Sequence, residues 1–136
     1  LSSTPEKSKA SANEVGLADA RAYGSWAEMI EAEAERDSAH RMEAVVIVTP
    51  NDVHAPAAEA ALRAGFHVVC DKPLCTSLDE ASALERAQSD SGLVFAVTYN
   101  YSGYPMGKLS KRMVADGELG AIRKVGFAQK VFFMED

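Results

Sequence analysis

The chain has 136 residues and a formal net charge of −6 at pH 7, which argues against nucleic acid or an anionic membrane surface as its main partner. Hydrophobic residues make up 47% of it, yet no apolar run reaches membrane-spanning length and no signal peptide opens it, so we expect one globular domain. Its two cysteines predict reduced thiols in a cytoplasmic protein.

The first third of the chain predicts helices that begin at capping residues. Residues 2–5, Ser-Ser-Thr-Pro, are typical of the start of a helix, here over residues 5–15 with a stop at Gly16. Residues 20–23 suggest a short strand. Residues 25–28, Ser-Trp-Ala-Glu, have capping-box spacing and predict a helix through Arg36. We interpret its glutamates as a solvated face and not as a metal site: Glu28, Glu31, Glu33 and Glu35.

From residue 44 onward, strands and helices alternate. Apolar runs predict strands over residues 44–49, 67–71 and 93–97, separated by helices over residues 55–64 and 77–89. Pro105 starts a last helix that stops near Gly117, and residues 124–133 predict a final strand. This alternation indicates an α/β doubly wound parallel sheet.

Three successive strands end in polar residues. The first is followed by Thr49-Pro50-Asn51, the second by Asp71-Lys72 and the third by Thr98-Tyr99-Asn100. Right-handed crossovers would bring these ends to one edge of the sheet, where ligands of α/β proteins bind. The sequence therefore predicts a binding crevice there.

Lys72 is the candidate catalytic residue of that crevice. It precedes Pro73, which favours an extended backbone and directs the ammonium beyond the strand end. A lysine there can stabilise a developing alkoxide or exchange a proton with a substrate oxygen. A solvated lysine at a turn is the alternative, just as Asn51 and Asp52 could be helix N-caps and His54 a packing histidine. His40 and His67 show no partner and are left as structural residues.

The pair Thr-Pro-Asn-x-x-His (49–54) and Asp-Lys-Pro-Leu (71–74), about twenty residues apart across a helix, resembles the glucose–fructose oxidoreductase/inositol dehydrogenase (Gfo/Idh/MocA) family. The segments at residues 61–68 and 117–122 extend the resemblance over nearly the whole chain. It implies a Rossmann domain that holds NAD or NADP, followed by an α+β domain, and oxidation of sugar or cyclitol hydroxyls or reduction of the corresponding carbonyls.

The resemblance also implies roles for particular residues. It places Thr49, Pro50, Asn51 and His54 along the cofactor near its nicotinamide end. Asp71 and Lys72 would stand beside the nicotinamide ribose and the reacting carbon, with Tyr99, Asn100 and Tyr101 on the substrate side. Asp71 departs from the glutamate that is more usual in the family and has a shorter reach.

A larger departure is the absence of any Gly-x-Gly among the nine glycines, since that turn brings backbone to the pyrophosphate. The family's second-domain histidine is also absent. The family pattern thus predicts a partial Rossmann-like domain over residues 1–122, the first strand of the second domain over residues 123–136, and weak or no cofactor binding. The start of the chain could suit the 2′-phosphate of NADP through Ser2, Ser3, Thr4 and Lys7, or these could be only cap and first-turn residues of the first helix.

Three functions remain open. The chain is a partial NAD(P)-dependent sugar or polyol oxidoreductase with little activity alone, a non-catalytic binding module that keeps the fold, or a fragment that self-associates. Without the first two strands of the order 3-2-1-4-5-6, residues 45–48 would form a strand buried on both faces but unpaired along one edge. We therefore expect a homodimer or larger assembly, formed by strand addition or by exchange of residues 125–133.

Overall fold

The computed structural model describes residues 4–126, which form two compact units, one ending at Thr98 and the other beginning at Tyr99. The first contains the helices α1 (Pro5–Glu14), α2 (Trp26–Ala34), α3 (Asn51–Arg63) and α4 (Leu78–Ser91) and the strands β1 (Ala44–Ile47), β2 (His67–Cys70) and β3 (Phe95–Val97). The second contains a short 3-10 helix, Asn100–Gly103, and α5 (Pro105–Ala115). The predicted domain boundary at residue 122 stays a prediction.

The sheet is parallel throughout, with the order β1-β2-β3. Helix α3 connects β1 to β2 and helix α4 connects β2 to β3, which is the predicted alternation. No helix of residues 4–126 combines the length and apolar character that a bilayer crossing requires. The α/β architecture predicted from the sequence is confirmed.

The core lies around α3, β2 and α4. Small side chains on α3 allow close packing, with Ala58 and Ala61 fully buried. The largest fully buried apolar side chains are Phe66, Leu62, Leu84 and Val68.

Several helix ends follow the sequence closely. Thr4 Oγ1 accepts a hydrogen bond from the Lys7 N–H at 3.3 Å, which agrees with the interpretation of these residues as parts of the first helix. At α4, Ser77 and Glu80 form both bonds of the predicted capping box. The box at Ser25 is half formed, because the Glu28 carboxylate accepts instead from the Gly24 N–H at 2.8 Å.

Residues 20–23 do not form the predicted strand. Residues 19–21 turn into a 3-10 helix, in which the Arg21 N–H donates to Ala18 O at 2.8 Å. Within residues 4–126 no strand lies alongside this segment to pair with it. Arg21 and Tyr23 instead donate hydrogen bonds to Glu33 of α2.

Glu33 is not part of a solvated face. It is 1% exposed, and its carboxylate accepts from Arg21 Nη2 at 2.7 Å, from the Tyr23 hydroxyl at 2.6 Å and from the Met42 N–H at 3.1 Å. Arg36 Nε lies 3.2 Å from Glu33 Oε1, the oxygen that also accepts from Tyr23. The other three glutamates of this stretch are exposed, as predicted.

Strand β1 is buried on one face and not on both. Val45 and Ile47 are buried, whereas Val46 is 66% and Val48 75% exposed. In the described part of the chain β1 is an edge strand, as expected. Residues 124–126 have no regular structure, and the rest of the predicted final strand lies outside the described residues.

The two histidines that the sequence left without partners both have one. His40 Nδ1 lies 3.1 Å from Asp37 Oδ2, and His67 Nδ1 accepts from the Val94 N–H at 3.0 Å. The second contact links the start of β2 to the segment before β3, which no local pattern signals.

Candidate functional site

The carboxyl ends of the three strands lie side by side. Ile47 pairs with Cys70 and Cys70 pairs with Val97, so the last residues of β1, β2 and β3 are in register. Each is followed within two residues by a polar residue that the sequence singled out: Thr49, Asp71 and Thr98. The predicted convergence of polar strand ends is confirmed.

Asp71 joins two of these ends. Its Oδ1 accepts from Thr98 Oγ1 at 2.6 Å and from the Lys72 N–H at 2.8 Å. These bonds, in that order, lower the pKa of Asp71, and the charges of Lys72 and His54 contribute less. Asp71 is therefore a carboxylate at neutral pH, oriented by the strand next to its own.

Lys72 stands exposed beyond the end of β2. Its Nζ makes no hydrogen bond or ion pair with any of residues 4–126, while its backbone N–H is held by Asp71. The peptide bond to Pro73 is cis. With no partner among the described residues, the ammonium is free to meet an external group.

The first turn of α3 begins with backbone N–H groups that no side chain of residues 4–126 caps. Its N-cap residue is Pro50. The alternative that Asn51 or Asp52 caps the helix is therefore wrong: both lie inside the helix, past the cap position, and both are exposed. Uncapped N–H groups at a helix start, with the positive end of its dipole, attract anionic and polar groups.

Thr49 lies just before this turn. Its Oγ1 is buried and has no hydrogen-bond partner among the described residues. An unsatisfied buried hydroxyl carries a desolvation cost that an external partner would remove. The end of β1 thus offers an unpaired hydroxyl beside free backbone donors.

His54 lies beneath the strand ends. It is 1% exposed, its Nδ1 is 2.7 Å from Pro73 O, and its Nε2 is 2.9 Å from Thr49 O. Its burial agrees with the packing alternative. Both ring nitrogens are occupied by backbone carbonyls, so the ring has no free nitrogen for an external group.

The three residues predicted on the substrate side lie in the second unit. Asn100 starts its 3-10 helix, and Tyr99 and Tyr101 are 59% and 71% exposed. The ring of Tyr101 packs edge-on against that of Tyr104, with 5.3 Å between centroids. This unit therefore presents exposed aromatic rings and an exposed amide.

Two thiols flank the Asp71-Lys72 turn, and both are free. Burial, followed by the charge of Asp71, raises the pKa of Cys70. Cys70 is accordingly a protonated core residue at neutral pH and not a nucleophile. No group of three His, Cys, Asp or Glu in residues 4–126 is arranged to bind a metal ion.

The sequence analysis did not single out two groups that contribute to the site, the hydroxyl of Thr98 and the carbonyl of Pro73. Thr98 was recognised only as part of a polar strand end, although its place directly after β3 signals that it can reach Asp71. The carbonyl of Pro73, which faces His54, has no signal in the sequence, since it depends on how the turn after β2 lies over α3.

Comparison with known proteins gives a consistent assignment. A family described as oxidoreductases with an NAD-binding Rossmann fold matches residues 1–99. An inositol dehydrogenase homologue from Azotobacter vinelandii, solved with NADH and myo-inositol, has a TM-score of 0.83 and 37% identity over 90% of this chain and 32% of its own.

Two curated relatives agree with this match. A D-xylose 1-dehydrogenase (NADP(+)) of Haloferax volcanii is 36% identical over 88% of this chain and 34% of its own length. A levoglucosan dehydrogenase of Pseudarthrobacter phenanthrenivorans is 40% identical over 57% of this chain and 20% of its own length. The chain thus spans about a third or less of these relatives. The family match and the parallel sheet with its polar strand ends lead to one conclusion: the chain belongs to the Gfo/Idh/MocA family of oxidoreductases, which have an NAD-binding Rossmann fold.

Proposed function

We propose that this chain forms the nicotinamide side of an NAD(P)-dependent oxidoreductase site for a hydroxyl or carbonyl group of a sugar, polyol or cyclitol. The observation that carries the proposal is the position of Lys72 at the carboxyl edge of a parallel sheet, next to Asp71 and in the turn that contacts His54. Its side chain is exposed and has no partner among residues 4–126. Relatives named for myo-inositol, xylose and levoglucosan support the substrate class.

The residues at the strand ends fit part of a dinucleotide. The free donors of α3 and the unpaired Thr49 Oγ1 suit phosphate or ribose oxygens, with Pro50 and Asn51 in the same turn. The sequence has no Gly-x-Gly, so the close backbone approach to the pyrophosphate is missing from these residues. We expect the chain alone to bind NADH or NADPH with a Kd of about 1 mM or weaker, roughly 4 kcal/mol or less.

Lys72 is the acid–base group in this proposal. When bound, the nicotinamide would take the hydride from the carbinol carbon during oxidation. As the carbonyl forms, the proton of the substrate hydroxyl passes to Lys72 Nζ, and in the reverse direction Lys72 Nζ gives a proton to the carbonyl oxygen. Asp71 holds the backbone of Lys72 and supplies an acceptor for a ribose hydroxyl.

Tyr99, Asn100 and Tyr101 are proposed to contact the substrate. Exposed tyrosine rings bind the apolar face of a sugar, and an amide donates to and accepts from its hydroxyls. We further propose a cytoplasmic location, since both cysteines are free thiols.

Cofactor binding is tested on the chain itself by titrating the ¹⁵N-labelled protein with NADH. We expect progressive shifts of the amides of Thr49, Asn51, Asp71 and Lys72 up to millimolar concentrations. Shifts confined to other segments would overturn the proposed cofactor side. Binding in the micromolar range would show that the missing glycine turn matters less than argued.

Catalysis is tested in a full-length chimera, in which residues 4–126 replace the matching segment of the inositol dehydrogenase homologue. Changing Lys72 to Ala should lower kcat with myo-inositol by about a hundredfold or more, because general acid–base groups typically contribute 10²–10⁴. The KM for the cofactor should change much less. The control is Lys111→Ala on the exposed surface of α5. Turnover of Lys72→Ala within a few-fold of the parent contradicts the assignment.

A non-catalytic, self-associating module is the second candidate. The observation that favours it is the open edge of β1, where Val46 and Val48 are exposed beside a strand with no further partner in the described residues. Such an edge is a template for a second strand, which would make the chain a homodimer or larger. Sedimentation equilibrium at micromolar concentration separates the candidates, because a stable monomer contradicts self-association.

A further inference from the structure

His54 bridges the two turns that form the candidate site. Its Nδ1 is 2.7 Å from the carbonyl oxygen of Pro73, in the turn after β2, and its Nε2 is 2.9 Å from that of Thr49, in the turn after β1. The ring is 1% exposed, so water does not compete for either nitrogen. The two turns are thus joined through one side chain of α3.

The two groups that face the ring nitrogens of His54, the carbonyl oxygens of Pro73 and Thr49, are both hydrogen-bond acceptors. A carbonyl oxygen has no hydrogen to donate, and a neutral imidazole carries only one N–H. In a neutral ring one of the two contacts would set a nitrogen lone pair against an oxygen lone pair at less than 3 Å. Both contacts are hydrogen bonds only when each ring nitrogen carries a proton.

The surroundings contain charges of both signs. Burial opposes a charged ring, and so do the positive end of α3 and the Lys72 ammonium. A charged ring is favoured by the two carbonyl oxygens and by two carboxylates. These are the exposed Asp52 on the same helical turn and Asp71, which interacts electrostatically with His54. Hydrogen bonds to a charged group are also stronger than those to a neutral one.

The bridge acts on Lys72 through the backbone. On one side, the Lys72 N–H is held by Asp71 Oδ1 at 2.8 Å, which Thr98 Oγ1 holds in turn at 2.6 Å. On the other side, the next residue, Pro73, has its carbonyl held by His54. Because the Lys72 side chain has no partner of its own in residues 4–126, these two anchors of the backbone fix the point from which it extends.

We propose that His54, protonated on both ring nitrogens, is a positioning residue that ties the turn after β1 to the turn after β2 and so fixes where Lys72 stands. The doubly protonated ring depends only on the fold, whereas its catalytic consequence rests on the proposed function. His54 contacts neither cofactor nor substrate in this role. It acts through Lys72.

The protonation is tested on the 136-residue chain by ¹⁵N NMR of the histidine rings at pH 7. We expect both nitrogens of His54 in the protonated range, each correlated with its own slowly exchanging proton. The internal reference is His67, whose Nδ1 accepts from the Val94 N–H and must show one unprotonated nitrogen. A single protonated nitrogen in His54 overturns the doubly protonated bridge.

The positioning role is tested in the chimera with His54→Gln, which cannot span both carbonyls from two separate nitrogens. We expect kcat to fall by up to about a hundredfold, as for a displacement of about 1 Å, with the KM for the cofactor within about threefold. The control is His40→Gln, because His40 is exposed and its ring bonds to Asp37, a nearby exposed residue outside the strand ends. An unchanged kcat in His54→Gln, in an enzyme that Lys72→Ala inactivates, refutes the role of His54. An unchanged kcat in Lys72→Ala refutes the proposed function instead, and the NMR result stands by itself.

Discussion

The buried carboxylate of Glu33 gives a sharp prediction about stability. Changing Glu33 to Gln keeps the size of the side chain but removes its charge and turns one acceptor into a donor. The new N–H₂ group would face donors whichever oxygen it replaces: Arg21 and Tyr23 at Oε1, or Arg21 and the Met42 N–H at Oε2. We therefore expect buried donors of this cluster to lose their hydrogen-bond acceptor.

The magnitude follows from the burial of the pair. Removing one partner of a fully buried ion pair costs about 3–5 kcal/mol. Because the Arg21 side chain is 33% exposed and Glu33 only 1%, water compensates part of the loss, and we expect the lower end, about 3 kcal/mol. For a domain of this size that lowers Tm by about 10 °C.

The assay is urea unfolding followed by circular dichroism and by the fluorescence of Trp26, which packs against the core. The matched control is Glu31→Gln, since Glu31 is exposed on the same helix and should change the free energy of unfolding by less than about 0.5 kcal/mol. Equal stabilities of the two variants would refute the reasoning.

The same carboxylate sets a pH dependence. Burial raises the pKa of Glu33, but the hydrogen bonds from Tyr23, Arg21 and the Met42 N–H outweigh it and leave the pKa below its ordinary value of 4.5. A carboxyl whose pKa is lower in the folded state stabilises the fold above its unfolded pKa, and this contribution is lost as pH falls through the folded pKa. The free-energy difference between wild type and Glu33→Gln should therefore shrink below about pH 4.5.

Three further predictions concern other parts of the first unit. Thr98→Val removes the shortest hydrogen bond to Asp71 and should raise the pKa of that carboxyl, measured by a ¹³C NMR titration; an unchanged pKa contradicts the role of Thr98. Ser77→Ala removes the cap of α4 and should cost about 1 kcal/mol in urea unfolding, with a loss below about 0.3 kcal/mol arguing against the cap. Val46→Lys places a charge on the open face of β1 and should reduce self-association in sedimentation equilibrium, whereas an assembly of unchanged size places the interface elsewhere.

Much of the fold could be predicted from the sequence because its signals are local. The capping box at Ser77 and Glu80 depends on residues three apart, and the strands depend on short apolar runs between turn residues. The order of strands and helices then placed Thr49, Asp71 and Thr98 at one edge, since crossovers in parallel sheets have one hand.

The wrong predictions for residues 20–23 and for Glu33 have the same cause, which is contact between segments that are distant in sequence. Residues 20–23 do not form the predicted strand because a strand needs a hydrogen-bonded neighbour, and no sequence window shows whether one is present. Glu33 belongs to the same glutamate-rich stretch as the exposed Glu28 and Glu31, and its partners Arg21 and Tyr23 lie 12 and 10 residues earlier in the chain.

The sequence by itself determined which residues stand at the strand ends, because side-chain periodicity and chain order follow from local rules. Only the tertiary structure decided what those residues touch. The contact of His54 with Pro73 spans 19 residues, and that of Asp71 with Thr98 spans 27. Such partners come from separate elements, so their pairing depends on how α3 and β3 pack against β2 and not on any spacing along the chain.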